Sequence, residues 1–124
     1  MRREHDTFHL LETSIEEVLA ALAAGRITSV ELTARYLSRI GAFDREGARL
    51  CAIPVLNPDA LAMAAESDRR WREGTARPLE GVPFTVKDSY MVRGLTVASG
   101  SPAFQNLIAQ RDAFSVEKLR EAGA

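Results

Sequence analysis

The sequence predicts an α/β protein led by a helical hairpin. Three observations carry that prediction. Two capping boxes stand fourteen positions apart, at Ser14/Glu17 and Thr28/Glu31, each opening a stretch with helical apolar spacing. Further on, two short apolar runs, "LCAIPVLN" and "VPFTVK", flank a segment of helical character. Strand, helix, strand within about 35 residues is the pattern of a βαβ unit with a right-handed crossover, hence a parallel pair.

Taken in order, residues 1–13 read as a frayed tail. From Ser14, apolar Ile15, Val18, Leu19 and Leu22 recur at helical spacing until Gly25. From Thr28 a second helix turns Val30, Ala34, Leu37, Tyr36 and Ile40 inward and stops at Gly41. The short "GRIT" link makes the two an αα-hairpin. "FDREGARL" is a polar loop, and "LCAIPVLN" reads as a strand. Asn57 is placed to cap a third helix with Pro58 in its first turn, running to Gly74. A second strand is expected over Val82–Lys87. "RGLTVASGSPAFQN" is a loop of small residues. Asp112 is placed to cap a last helix carrying Phe114, Val116 and Leu119 and closed by Gly123.

Bulk properties exclude several classes. The 124 residues fit one domain at most. A net charge of -1 supplies no attraction to nucleic acid or to a membrane surface, and 6% aromatic content leaves little for base stacking. No run approaches the ~20 apolar residues of a membrane span. "MRREHDTFHLLETS" carries charge where a secretory signal would be apolar. A soluble cytoplasmic protein is expected. Cys51 is the single cysteine and reads as a small buried hydrophobe in its apolar run.

The residue that stands out is Lys87. Of 16 basic residues only Lys87 and Lys118 are lysines. A lysine can act as a neutral base once desolvated, whereas a guanidinium keeps its proton. Sites in open α/β sheets collect beyond the carboxyl ends of strands, where Lys87 would sit partly desolvated. The plainer alternative is a lysine snorkelling from a strand end toward a surface carboxylate, and composition alone favours it. His5 and His9 have the spacing of helical metal ligands but no third ligand in reach, so no metal is expected. Ser99, Gly100 and Ser101 lack the pattern of a nucleophile elbow and read as a turn.

At "PLEGVPFTVKD" the chain resembles the amidase signature family, and three further segments extend the likeness in order. "ALAAGRITSVELTARYLSRIGAFD" is similar to the family's leading hairpin. "LCAIPVLNPDALAMAAESDRR" is similar to its first strand and following helix, and "RDAFSVEKLREAGA" to the helix after the lysine strand. The resemblance covers about Ser14 to Ala124. It implies that residues 14–124 are the N-terminal part of an α/β/α fold with a mixed sheet flanked by helices. It also implies amide C–N hydrolysis through a serine–serine–lysine triad, with Lys87 the base, a small-molecule amide as substrate and no cofactor. The family's glycine- and serine-rich segment would follow "REAGA", and residues 1–124 contain no such stretch. Ser99 and Ser101 precede it in family order. Ser89 stands where the family often has asparagine. A fragment carrying only the catalytic lysine, inactive alone, is therefore expected; the alternative is a non-catalytic remnant or interaction module. A small amide, a peptide amide and glutamine all stay open as substrates.

Overall fold

The computed structural model of the chain describes residues 8–124. It contains four α-helices: α1 (Ile15–Ala23), α2 (Ser29–Arg39), α3 (Ala60–Glu73) and α4 (Phe114–Glu121). Both capping boxes form. Ser14 Oγ accepts from the Glu17 N–H, and the Glu17 side chain accepts from the Ser14 N–H; Thr28 and Glu31 repeat the arrangement. Gly74 ends α3 in the left-handed conformation that a glycine adopts without penalty.

Phe8, Val18, Ala21, Leu22, Ile27 and Leu32 form the buried core, with Leu10, Tyr36, Trp71 and Val82 packed against it. The core thus begins at Phe8, N-terminal to the expected boundary, and Arg35 donates to the Phe8 carbonyl. The buried face of α2 is Ser29, Leu32 and Thr33, while Ala34 is exposed. A stripe at 29, 32, 33 and 36 has proper helical spacing, but two of its members are polar. An apolar pattern alone therefore reads the face one or two positions out of phase. Helix α2 packs on α3.

The helices stand where the sequence puts them; the strands do not form. Among the described residues the only β-bridge is antiparallel, Thr96 with Ile108, inside the 94–109 loop. The first expected strand is diverted by what precedes it. Past Arg39 the backbone widens into a π-helical turn, Ile40–Arg45, instead of stopping at Gly41. That turn buries Asp44, whose carboxylate accepts from the N–H groups of Ala52 (2.6 Å) and Ile53 (3.3 Å). The Asp44 carbonyl takes the Cys51 N–H, and Arg45 donates to the Ile53 carbonyl at 2.7 Å. Backbone groups committed to a side chain cannot also serve a ladder. Cys51 is consequently exposed, with φ of 52°, not buried as its run suggests.

The second expected strand, 82–87, takes no regular secondary structure and pairs with no partner, so the mixed sheet is not formed among the described residues. Two caps also differ. Asn57 Oδ1 accepts from the Asp59 N–H, making a turn that includes Pro58, and α3 starts only at Ala60. Asp112 does not cap α4. It accepts from the Arg93 N–H (2.7 Å) and from Arg120 (2.9 Å), and Ala113 occupies the cap position. Among the described residues no helix is long and apolar enough to cross a membrane.

Candidate functional site

The segment that carries Lys87 is launched from a turn at Pro78–Gly81. Glu80, at the centre of that turn, is fully buried. A buried carboxylate is costly unless paired and hydrogen-bonded, and this one receives four hydrogen bonds. Ser67 Oγ donates at 2.6 Å and Arg77 donates through Nε at 2.7 Å, Nη2 at 3.0 Å and its backbone N–H at 3.2 Å. Burial pushes the Glu80 carboxyl up, but the bonds from Arg77 and Ser67 outweigh it and hold the group below its usual range. Arg77 is raised in return, chiefly by its bond to Glu80.

Gly81 follows at φ of 79°, and a Cβ there would stand 2.7 Å from Ser29 Oγ. The close approach is used. Ser29 Oγ donates to the Gly81 carbonyl at 2.9 Å, and the Gly81 N–H donates to the Gly123 carbonyl at 2.9 Å. The turn is thereby tied to α2, α3 and the end of α4 together.

From there the chain runs without regular secondary structure to Lys87, which is exposed. Its ammonium makes no ion pair or hydrogen bond with the described residues. Among the described residues no surface carboxylate pairs with it and no sheet neighbour lies over it. Asp88 is turned away. Its carbonyl accepts from the Ser99 N–H at 3.1 Å and its Oδ1 from the Ala98 N–H at 3.4 Å. The loop containing Ser99 and Gly100 is thus folded against the residue next to Lys87, with Ser99 itself exposed at φ of 50°. That agrees with a turn. Ser89 and Tyr90 are exposed in the turn after Asp88, where the Tyr90 N–H donates to the Lys87 carbonyl. His5 lies outside the described residues and His9 is exposed. Among the described residues no group of three His, Cys, Asp or Glu side chains is placed to hold a metal.

An apolar groove of about 600 Å³ runs beside the segment, lined in part by Ala60, Met63, Ala64, Val82, Pro83 and Phe84. Sequence reasoning missed the Glu80 hub. The available signal was an acidic residue inside "PLEGVP", where burial of the neighbours obliges a charge to find a partner.

Residues 31–124, including the turn, the 82–87 segment and Lys87, match the family model described as Amidase. The chain belongs to the amidase family. Among curated amidase-family relatives, it is 42% identical over 113 residues to the glutamyl-tRNA(Gln) amidotransferase A-subunit of Desulfotalea psychrophila, covering 91% of this chain and 23% of that protein. Its counterpart in Geobacter sulfurreducens is 41% identical over 116 residues, with 93% and 23% covered. Among solved structures, the peptide amidase of Stenotrophomonas maltophilia superposes with a TM-score of 0.88 at 43% identity, covering 92% of this chain and 23% of that one. An amidase family protein of Bacillus anthracis gives 0.87 at 28% identity, with 93% and 23% covered. The chain therefore spans about a quarter of the length of the amidases it matches.

Proposed function

We propose that residues 14–124 form the N-terminal part of an amide-hydrolysing site in which Lys87 is the general base. The observation that carries the reading is Lys87 itself, a free lysine ending the VPFTVK segment inside the family match. In this reading neutral Lys87 takes a proton from a bridging serine, which takes one from the nucleophilic serine as its oxygen attacks the amide carbon. The proton returns to the departing nitrogen as the C–N bond breaks, and water, giving up a proton through the same relay, then cleaves the acyl-serine ester to release the acid and restore the serine. Both serines come from residues outside 1–124, because no glycine- and serine-rich stretch of that kind occurs within them.

The free edge of residues 82–87 and the adjoining apolar groove support pairing of this segment into a mixed sheet of a complete amidase. Such a cover would also desolvate Lys87, which a neutral lysine requires. The substrate is a small-molecule amide, with a small amide, a peptide amide and glutamine all open; the location is cytoplasmic, and the triad calls for no metal or cofactor. Residues 1–124 alone turn over no amide, having a base without a nucleophile.

A second reading, a non-catalytic interaction module, is favoured by the same missing stretch. One experiment separates the two. Residues 14–124 replace the matching segment of the Stenotrophomonas maltophilia peptide amidase, and amide hydrolysis is measured. The catalytic reading expects an active chimera in which Lys87→Ala and Lys87→Arg each lose about 10²–10⁴-fold in kcat. A Lys87→Arg chimera retaining most of the turnover overturns it.

A further inference from the structure

We infer that Glu80 is a positioning residue for Lys87, fixing where the 82–87 segment leaves the helical layer and hence where the base arrives. The inference rests on the proposed role of Lys87. Every polar atom of Glu80 is engaged. Besides the four bonds to its carboxylate, its carbonyl accepts from Trp71 Nε1 at 3.1 Å and its N–H donates to the Arg77 carbonyl at 3.0 Å. The two flanking residues are tied to the end of α4: the Leu79 N–H donates to the Ala122 carbonyl at 2.7 Å, and Gly81 to Gly123. Arg77 reaches the same place, its Nη1 donating to the Arg120 carbonyl at 3.1 Å.

A buried ionic cluster is a poor way merely to stabilise a turn. An apolar side chain of similar volume would contribute as much or more without the desolvation cost. What the cluster adds is direction. The planar Arg77 fork meets both Glu80 oxygens, and Ser67 fixes the rotation of the carboxylate, so the turn has one geometry instead of several.

The leverage of that geometry follows from what lies beyond it. After the Val82 N–H, which closes the turn on the Leu79 carbonyl, no backbone hydrogen bond is made by residues 83–86 among the described residues. The next anchors are the Lys87 carbonyl, bonded by Tyr90, and Asp88, bonded by Ala98 and Ser99. Among the described residues Lys87 is therefore held between these two attachments, to which the sheet pairing proposed above would add a third. Loosening the Glu80 carboxylate removes four of the bonds at the first attachment and leaves those of Leu79, Gly81 and Ser29, so the segment leaves the turn in a less closely fixed direction and the ammonium with it.

The test uses the peptide-amidase chimera. Glu80→Gln keeps the size but breaks the paired geometry, and Arg77→Lys keeps the charge but loses the fork. Each should lower kcat about 10- to 100-fold, as a misplaced catalytic group does. KM should stay within about two-fold, at a temperature where circular dichroism shows the variant folded. Glu73→Gln, which alters an exposed ion pair with Arg69 on the same helix, serves as control and should leave kcat unchanged. In the 124-residue chain, Glu80→Gln should shift the backbone amide resonances of residues 84–87 while those of α1 hold. If Glu80→Gln unfolds the chimera, Ser67→Ala carries the same kcat-against-KM test, since it removes one bond and leaves the Arg77 fork. Folded variants with parental kcat, or a kcat loss matched by the Glu73 control, overturn the inference. The two ideas fail separately. A tolerated Lys87→Arg removes the base; an inactive Lys87→Arg beside a fully active Glu80→Gln removes only the positioning role.

Discussion

The Asp68 carboxylate of α3 accepts hydrogen bonds from the backbone N–H groups of Ser29 at 2.6 Å and Val30 at 3.1 Å. With Thr28 Oγ1 taking the Glu31 N–H and Glu31 taking the Thr28 N–H, each donor from the cap to the third position of α2 is satisfied. Half of that cap is local and half arrives from 39 positions away. The same negative charge lies at the positive end of the helix dipole.

Removing the distant half should cost stability in proportion. Asp68→Ala should lower the unfolding free energy of the chain by about 1–2 kcal/mol, the range for a lost N-cap. Asp68→Asn, which keeps one acceptor, should lose less. Urea titration measures both. An unchanged midpoint for Asp68→Ala would show that the cap contributes nothing.

Two glycines with similar φ separate strain from space. A Cβ at Gly25 (φ 65°) would meet nothing within 4 Å, whereas one at Gly81 (φ 79°) would meet Ser29 Oγ at 2.7 Å and Ser67 Cβ at 3.2 Å. Gly25→Ala should cost only the left-handed conformation, about 1–2 kcal/mol. Gly81→Ala adds overpacking between α2 and α3, for about 2–5 kcal/mol in all. Equal losses at the two sites would show that the turn moves aside freely.

Acid should unfold the chain through Glu80. Its carboxyl is held below the ordinary value of 4.5 by Arg77 and Ser67 against the opposing effect of burial, with Glu66 a nearby like charge. A depressed folded pKa means the unfolded chain binds the proton first as pH falls. The contribution is complete above about pH 4.5 and is lost as pH drops through the folded value. Asp112, held below 3.8 by the Arg93 N–H and Arg120 despite its own burial, adds in the same direction at lower pH. Between pH 5 and 3, stability of the parent should fall more steeply than that of Glu80→Gln, by up to about 1.4 kcal/mol per pH unit. Parallel curves would mean that Glu80 is not the group responsible.

What the sequence conveys here is local. The capping boxes at Ser14 and Thr28, the Gly74 terminus and the turn at Ser99–Gly100 are set by residues within four positions of one another, and each forms. The readings that failed depend on distant partners. "LCAIPVLN" has strand composition, but Asp44 claims its N–H groups. "VPFTVK" has strand composition too, yet a segment becomes a strand only when another lies beside it, and none does among the described residues. Asp112 has cap chemistry and is drawn instead to Arg93 and Arg120. Lys87 was legible as an odd residue type at a segment end. Glu80 was not: Arg77 stands only three positions away, but Ser67 and Trp71, which complete the cluster, meet it only after the chain turns back from α3.

Cys51 gives a direct check on the diverted segment. If residues 50–53 follow Asp44 as described, the thiol is open to solvent, and a thiol reagent should modify it fully in the native 124-residue chain. Asp44→Ala should free the segment and change the rate. A thiol that reacts only in denaturant would restore the buried reading.

The role of Lys87 can be examined by replacing its nitrogen from solution. In the chimera, Lys87→Ala leaves a space where the ammonium stood, and a small primary amine such as methylamine can diffuse into it and accept the proton. Hydrolysis by Lys87→Ala should therefore rise with added amine and saturate, and the rise should follow the fraction of amine in the neutral form. Lys87→Arg should not respond, since the guanidinium fills the space and keeps its proton. The KM for the amide should be the same with and without amine, because the base acts on the nucleophile and leaves substrate recognition alone. Rescue of both variants, or equal stimulation of the parent, would place the amine's action elsewhere and remove Lys87 from the proton path. Saturating rescue of alanine but not arginine requires that the missing group be a neutral nitrogen at that position, which a structural lysine would never need to be.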